Sequence, residues 1–476
     1  MSHNIVYRGD PETSAKNKFG AHIMIHSPGD ETSVGRIENV QFHDVGQAFL
    51  LGKYPIHFHM IGRVTKSYVR NNAIRNSYNR GTTIHGVHYL RVQRNTYFNI
   101  MGHTIFVEDA AETKNLIEYN VVAGTKPSFS LLNTDASPGC FWITHPDNIF
   151  VGNRAAGSTN YGFWMDYQET ALGPSFNPSI KPIHAKLGEF RNNVAHSIGH
   201  YGLRIFHGHT PPVMAYYEDH LSYKCGKNGI MSGEMGLVTF RNITIASNAQ
   251  YGFEMERIVE GGKDENRIDG AVVVGSSALM GGSTGIGMVG PQSDLWFVRD
   301  ARYYNFMGGA AAIGTCSNCE TPKGDSGART YRFQELHFDD ATVTKRSNWL
   351  IPDKGILHDL DGTLTGLGPD SYVTAYWKHN EVPECTVDMD LYSGIICPSP
   401  AAVERIVFYG PSENIKGKTM YIWLYDDEII DPMTEEELEQ YLVKANASEL
   451  IFREKESPMF HWTVPYVTGH KYYTRW

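Results

Sequence analysis

Between about residue 36 and residue 256 the chain repeats one design: a turn rich in Gly or Asn, then a five-residue strand of alternating character. Seven segments share one frame: Pro55-Ile56-His57-Phe58-His59, Gly81-Thr82-Thr83-Ile84-His85, Thr104-Ile105-Phe106-Val107-Glu108, Cys140-Phe141-Trp142-Ile143-Thr144, Gly162-Phe163-Trp164-Met165-Asp166, Gly202-Leu203-Arg204-Ile205-Phe206 and Gly252-Phe253-Glu254-Met255-Glu256. Side chains alternate across a strand, so the second and fourth positions, apolar almost throughout, face one interior while the third and fifth face outward. The spacing is 26 from His59 to His85, 23 from His85 to Glu108 and 22 from Thr144 to Asp166. A period of this length is one coil of a β-solenoid. Asn72, Asn95, Asn153 and Asn193 each stand nine residues before the first strand position of the next unit. They predict a column of corner asparagines whose amides bond one another and whose backbone tolerates a left-handed bend. No room is left for crossover helices, so the fold class expected is all-β: a right-handed single-stranded parallel β-helix over residues 1–366.

Longer spacings, 36 from Glu108 to Thr144 and 40 from Asp166 to Phe206, mark inserted loops at 125–139 and 168–186. Rigidly held loops are where binding tends to reside. Past Glu256 the pattern loosens, and from about residue 367 it stops. Residues 367–476 form a β-rich C-terminal module or cap, with an acidic helix over Pro432 to Ala445 and an aromatic strand at Met420 to Leu424. Such a cap covers the strand edges of a solenoid end.

A formal charge of −10, with Lys+Arg 42 against Asp+Glu 52, gives no basic excess to neutralise phosphates, so nucleic acid is excluded as a partner. No run of about 18 apolar residues spans a bilayer, and the polar start is not a signal peptide. Cys316 with Cys319, and Cys385 with Cys397, are spaced for disulfides of an oxidising compartment, while Cys140 and Cys225 stand alone. Asn242-Ile243-Thr244 and Asn446-Ala447-Ser448 are glycosylation sequons.

Stacked strands lie about 4.8 Å apart, so residues sharing a frame position form a file. The fifth position reads His59, His85, Glu108, Thr144, Asp166, and the third adds His57, Phe106, Trp142 and Trp164. Imidazoles and a carboxylate in consecutive coils perturb one another's protonation with no structural gain, the mark of a working cluster. The candidate reacting groups are His59, His85, Glu108, Asp166 and Arg80. His57, Trp142, Trp164, Asp109 and His103 are the candidate substrate-binding groups, with exposed rings lying against pyranose faces. His57 and His59 are also spaced to ligate a divalent metal, Ca or Zn. Two chemistries fit. Glu108 and Asp166, roughly 9.6 Å apart at two coil spacings, suit acid and base of an inverting hydrolysis. Alternatively a neutral His59 or His85 abstracts a proton beside a uronate carboxylate that Arg80 neutralises, giving elimination.

The runs Lys53 to His59, Thr83 to Gly86 and Phe106 to Asp109 resemble the β-helix shared by fibrocystin, fibrocystin-L and the hyaluronan-binding and cell-surface hyaluronidase proteins. Ser130-Leu131-Leu132-Asn133 with Phe141 to Thr144, and Gly162-Phe163-Trp164, are most similar to the fibrocystin branch, and His358 to Gly366 is a further matching stretch. The resemblance implies an extracellular or cell-surface protein of which this chain is a fragment lacking its signal peptide. It implies further that the partner is a glycosaminoglycan such as hyaluronan, bound or depolymerised. The fibrocystin branch implies instead a non-catalytic receptor or interaction rod that meets an extracellular protein.

Overall fold

The computed structural model describes residues 3–27, 32–128, 133–259, 267–275, 285–291, 296–315, 330–349, 355–411, 419–424, 434–444, 447–451 and 459–475. The chain divides into two compact units, Met1–Gly285 and Ile286–Trp476.

In the first unit each coil carries three short strands. Tyr68–Arg70, Ala73–Ser77 and Thr82–His88 make one coil, and Arg91–Gln93, Thr96–Met101 and Ile105–Val107 the next. Every strand pairs in parallel with its counterpart one coil away, so the architecture is a parallel β-helix. The frame read from sequence is the register observed: Ile56 pairs with Thr82, Thr82 with Ile105, Ile105 with Phe141, Phe141 with Phe163 and Phe163 with Leu203. Phe58, Ile84 and Val107, the fourth positions, are fully enclosed, because burying these side chains removes the most apolar surface from water. Two further coils continue the file, Ile23–His26 below Ile56–Arg63 and Ile230–Met235 between Tyr201–His209 and Tyr251–Ile258.

The asparagine column is present and longer than expected. Asn72, Asn95, Asn120, Asn153 and Asn193 stack in order, each Nδ2 donating to the Oδ1 of the next at 2.9 to 3.1 Å. Each Oδ1 also accepts the backbone N–H of the asparagine below, as Asn120 does from Asn95 at 3.0 Å. The left-handed residue at the corner is the one before each asparagine: Asn71, Arg94, Tyr119, Gly152 and Asn192, at φ of 54°, 52°, 54°, 66° and 55°. The expected division of labour is thereby corrected, since the asparagine satisfies the corner and its predecessor bends it. Asn120→Ala is expected to cost about 1–3 kcal/mol, the cost of stranding the buried donors of Asn95. Urea unfolding should show a lower midpoint at constant slope, and an unchanged midpoint would remove the column from the fold's support.

In the second unit parallel coils continue as Phe297–Tyr304 with Thr330–Phe338, and Ile286–Val289 with Ala311–Gly314. Pairing turns antiparallel between Ile356–Asp359 and Ser371–Ala375, inside this unit. The expected acidic helix forms at Glu435–Lys444 and the aromatic strand at Thr419–Leu424. Cys385 and Cys397 are joined in a disulfide, and Cys140 and Cys225 are buried free thiols. Cys316, Cys319, Asn446 and Ser130 to Leu132 lie outside the described residues; Asn242 is exposed. Among the described residues no helix is long and apolar enough to cross a membrane.

Candidate functional site

Three adjacent strands, Ile23–His26, Ile56–Arg63 and Thr82–His88, are in a register that pairs His26 with His59 and His59 with His85. His57, on the same face as His59, is enclosed, and its ring stacks on that of His85 with centroids 5.8 Å apart. His59 stands edge-on to both, 4.9 Å from His57 and 4.8 Å from His85. It is the half-buried member of the trio. Nδ1 of His57 lies 2.9 Å from the carbonyl of Gly52, to which it can only donate, so Nε2 carries the lone pair. That Nε2 is buried with no hydrogen-bond partner among the described residues. Nε2 of His85 lies 2.9 Å from the Asp109 carboxylate, while its Nδ1 is 3.4 Å from Oε2 of Glu108.

A second layer fixes this trio. Arg80 is buried and its guanidinium grips Asp135 through Nε and Nη2 at 3.0 to 3.2 Å, donates to the Tyr54 hydroxyl at 3.2 Å and reaches Glu108 at 3.5 Å. The ring of Phe106 lies 3.9 Å from the guanidinium carbon. Asp135, from the short 3-10 turn Asn133–Ala136 in the first inserted loop, also accepts the backbone N–H of His103. The second loop closes over Asp109, whose carbonyl accepts the N–H of Leu172 and whose carboxylate accepts that of Ser175. Glu112 is enclosed and accepts the backbone N–H groups of Gly86 and Asp109.

Protonation follows from these surroundings. Burial, reinforced by the neighbouring imidazoles, pushes His57 down to about 3. Burial disfavours the cation of His85 as well, but its hydrogen bond to Asp109 and the field of Glu108 outweigh this and raise it. Burial lifts the Glu108 carboxyl above the usual range against the pull of Arg80 and His85. Asp109, although desolvated, is held below that range by His85 and Ser175. Burial pushes Glu112 up to about 7.

Several expectations change. Phe106, Trp142 and Trp164 point away from the core, but each is only 6% exposed. They pack on one another with Tyr161 and Tyr201, so no open aromatic wall presents Trp142 and Trp164 to a pyranose face. His103 is enclosed against Phe106 and Trp142. Arg80 is a buried counterion, with no edge free for a uronate carboxylate. Asp166 is drawn to His207 at 3.4 Å rather than to the imidazole cluster. The structure thus brings together His57, His59, His85, Glu108, Asp109 and Arg80. His26, Tyr54, Glu112 and Asp135 complete the cluster without having been anticipated. Only His26 had a legible signal, since His22 to His26 repeats the alternation of Pro55 to His59.

Residues 18–203 match the family model described as CEMIP beta-helix. Over 430 residues the chain is 34% identical to mouse fibrocystin-L, covering 84% of this chain and 10% of that protein. Human fibrocystin-L is 32% identical over 428 residues, with the same coverage. Human cell surface hyaluronidase CEMIP2 is 32% identical over 252 residues, 44% of this chain and 18% of that protein. The chain spans about a tenth of the length of the fibrocystin-L proteins it matches. Residues 18–203 of this chain therefore carry a CEMIP-type β-helix, and the chain is related in sequence to fibrocystin-L and to the cell surface hyaluronidase.

Proposed function

We propose that the first unit is an extracellular carbohydrate-interacting module that binds a glycosaminoglycan such as hyaluronan and cleaves it by hydrolysis at the rim formed by His59 and Glu108. The observation that carries this reading is the pairing of Glu108 with Asp109: adjacent carboxyls, one held protonated beyond its ordinary range and the other held ionised. Groups whose environments push them apart in this way divide into proton donor and anion. Glu108, with a side chain 15% exposed, is the general acid toward a glycosidic oxygen. Asp109 keeps His85 oriented, and the half-buried His59 meets the solvent. Elimination is disfavoured because the guanidinium that would neutralise a uronate is sealed inside. The disulfide Cys385–Cys397 and the name of the hyaluronidase relative support placement outside the cell or on its surface.

Purified chain incubated with sized hyaluronan is expected to shorten it without the absorbance of a new double bond, and Glu108→Gln is expected to lower the rate about 100-fold or more with binding retained. Neither shortening nor binding would end this reading. Binding without shortening would favour a second one, a non-catalytic fibrocystin-like interaction module, supported by the longer match to fibrocystin-L and by the two loops that close over the cluster.

A further inference from the structure

We infer that His57, His59 and His85 form a binding site for one zinc-class divalent ion, with a fourth position open to an oxygen ligand at the His59 rim. One ligand nitrogen from each imidazole lies within 4.8 Å of those of the other two. Bonds of 2.0–2.1 Å to a tetrahedral ion require nitrogens about 3.3 Å apart, so the rings must close by roughly an ångström or more. His59 supplies that movement, being the member that the loops leave half exposed.

Two features separate this trio from an ordinary stack of surface histidines. The first is the buried Nε2 of His57, which has no hydrogen-bond partner among the described residues; an orphaned lone pair there costs free energy that a cation would recover. The second is the support behind the ligands. Gly52 accepts from the far nitrogen of His57, and Asp109 accepts from the far nitrogen of His85, each at 2.9 Å. A carbonyl or carboxylate behind an imidazole fixes the tautomer that turns its other lone pair toward a metal. The third ring has a different neighbour: Nδ1 of His59 lies 3.1 Å from Nδ1 of His26, which is also 3.1 Å from the His59 carbonyl.

Donor type narrows the ion. Three nitrogens and no oxygen from the trio suit zinc or cobalt and exclude calcium, which takes oxygen ligands. Three histidines with one position left over is also the ligand count of sites that bind an exchangeable oxygen. On the glycan reading above, that oxygen is a uronate carboxylate, and the ion supplies the positive charge that buried Arg80 withholds. The metal site itself does not depend on that reading.

The test is titration of chelator-treated, dialysed protein with Zn2+ alone, followed by calorimetry, and with Co2+, followed by its visible spectrum. One equivalent of Zn2+ and a tetrahedral Co2+ spectrum are expected. His59→Ala, at a half-exposed position the core does not need, should abolish both while leaving circular dichroism unchanged. Asp109→Asn, which touches no metal, should weaken Zn2+ binding about 10–100-fold. Stoichiometric binding that survives both His59→Ala and His85→Ala, or no binding by folded protein, would overturn the assignment. Hyaluronan binding is measured separately with and without Zn2+. Zn2+ uptake with no glycan binding would sink the glycan reading and leave the site, and the reverse result would sink the site alone.

Discussion

Arg80→Ala is expected to destabilise the first unit by about 3–5 kcal/mol, the cost of leaving buried charge without its partner. The guanidinium is 1% exposed and faces Asp135, itself 2% exposed, with Glu108 3.5 Å away on its other side. Truncation takes from the Asp135 carboxylate its guanidinium in a medium that solvates it poorly, removes the contact to Glu108, and also removes the cation lying on the Phe106 ring. Asp135→Ala should cost a comparable amount, since Arg80 would keep only Glu108 and the Tyr54 hydroxyl. The two losses should not add. In Arg80→Met/Asp135→Leu neither charge is left behind, and the double variant is expected to be more stable than either single alanine variant. Arg257 and Glu234 provide the internal control: a pair of similar length, 3.2 Å, with both side chains about half exposed. Arg257→Ala should cost less than about 1 kcal/mol. Denaturant unfolding of the four variants decides the matter. Equal midpoints for Arg80→Ala and Arg257→Ala would mean that the buried pair neither holds the first loop nor frames the imidazole cluster.

Why the coil was readable and the loop-borne partner was not follows from what each depends on. Enclosure forces alternation, so Phe58, Ile84 and Val107 announce themselves through their neighbours in sequence. The coil at Ile230 escaped the frame because its fourth position is Ser232, a buried hydroxyl where the other coils place an apolar side chain. Asn120 escaped the column for a related reason. The first loop places it twenty residues before Cys140 instead of nine, so its offset is lost although its stacking is not. His57, His59, His85 and Glu108 were legible because a file of equivalent positions needs only the period. Their burial was not, since it depends on what two aperiodic insertions lay across them. Asp135 and Ser175 reach the cluster through tertiary contacts 55 and 66 residues away in sequence, from Arg80 and Asp109 respectively, and no local pattern encodes such a contact. Trp142 and Trp164 became packed rings rather than sugar platforms by stacking with each other and with Phe106, Tyr161 and Tyr201.

Acid should unfold the first unit well before its carboxylates are all protonated. His57, His103, His145, His209 and His220 are enclosed, and burial pushes them down to about 3, 3, 4, 4 and 3. In the unfolded chain each titrates near 6.5, so as pH falls below that value the unfolded state takes up protons that the folded state refuses. A depressed histidine therefore favours folding above pH 6.5, and that stability is lost progressively down to the folded value. Each group contributes a slope of about 1.4 kcal/mol per pH unit, or about 7 kcal/mol per unit for the five together. Glu112 and Glu108 act in the opposite sense. Raised in the folded state, they take up a proton before their unfolded counterparts and return up to about 3 kcal/mol per unit above pH 4.5. His85, also raised, has delivered its full contribution by pH 6.5 and adds no slope below it. The net expectation is a loss of at least about 4 kcal/mol per pH unit between roughly pH 6 and pH 5, steep against the roughly 5–15 kcal/mol of a typical domain. Asp109 and Asp135, held low in the folded state, deepen the loss at more acid pH. Unfolding midpoints in urea, taken every half unit from pH 7.5 to 4.5, measure the slope. His220 lies among Phe163 and Phe190, so His220→Phe replaces a titrating ring with an apolar one of similar shape. That variant should flatten the profile by one group's share, about 1.4 kcal/mol per unit. A wild-type profile that stays level to pH 4.5 would mean that water or protons reach these rings, and the enclosed interior described for the coils would have to be redrawn.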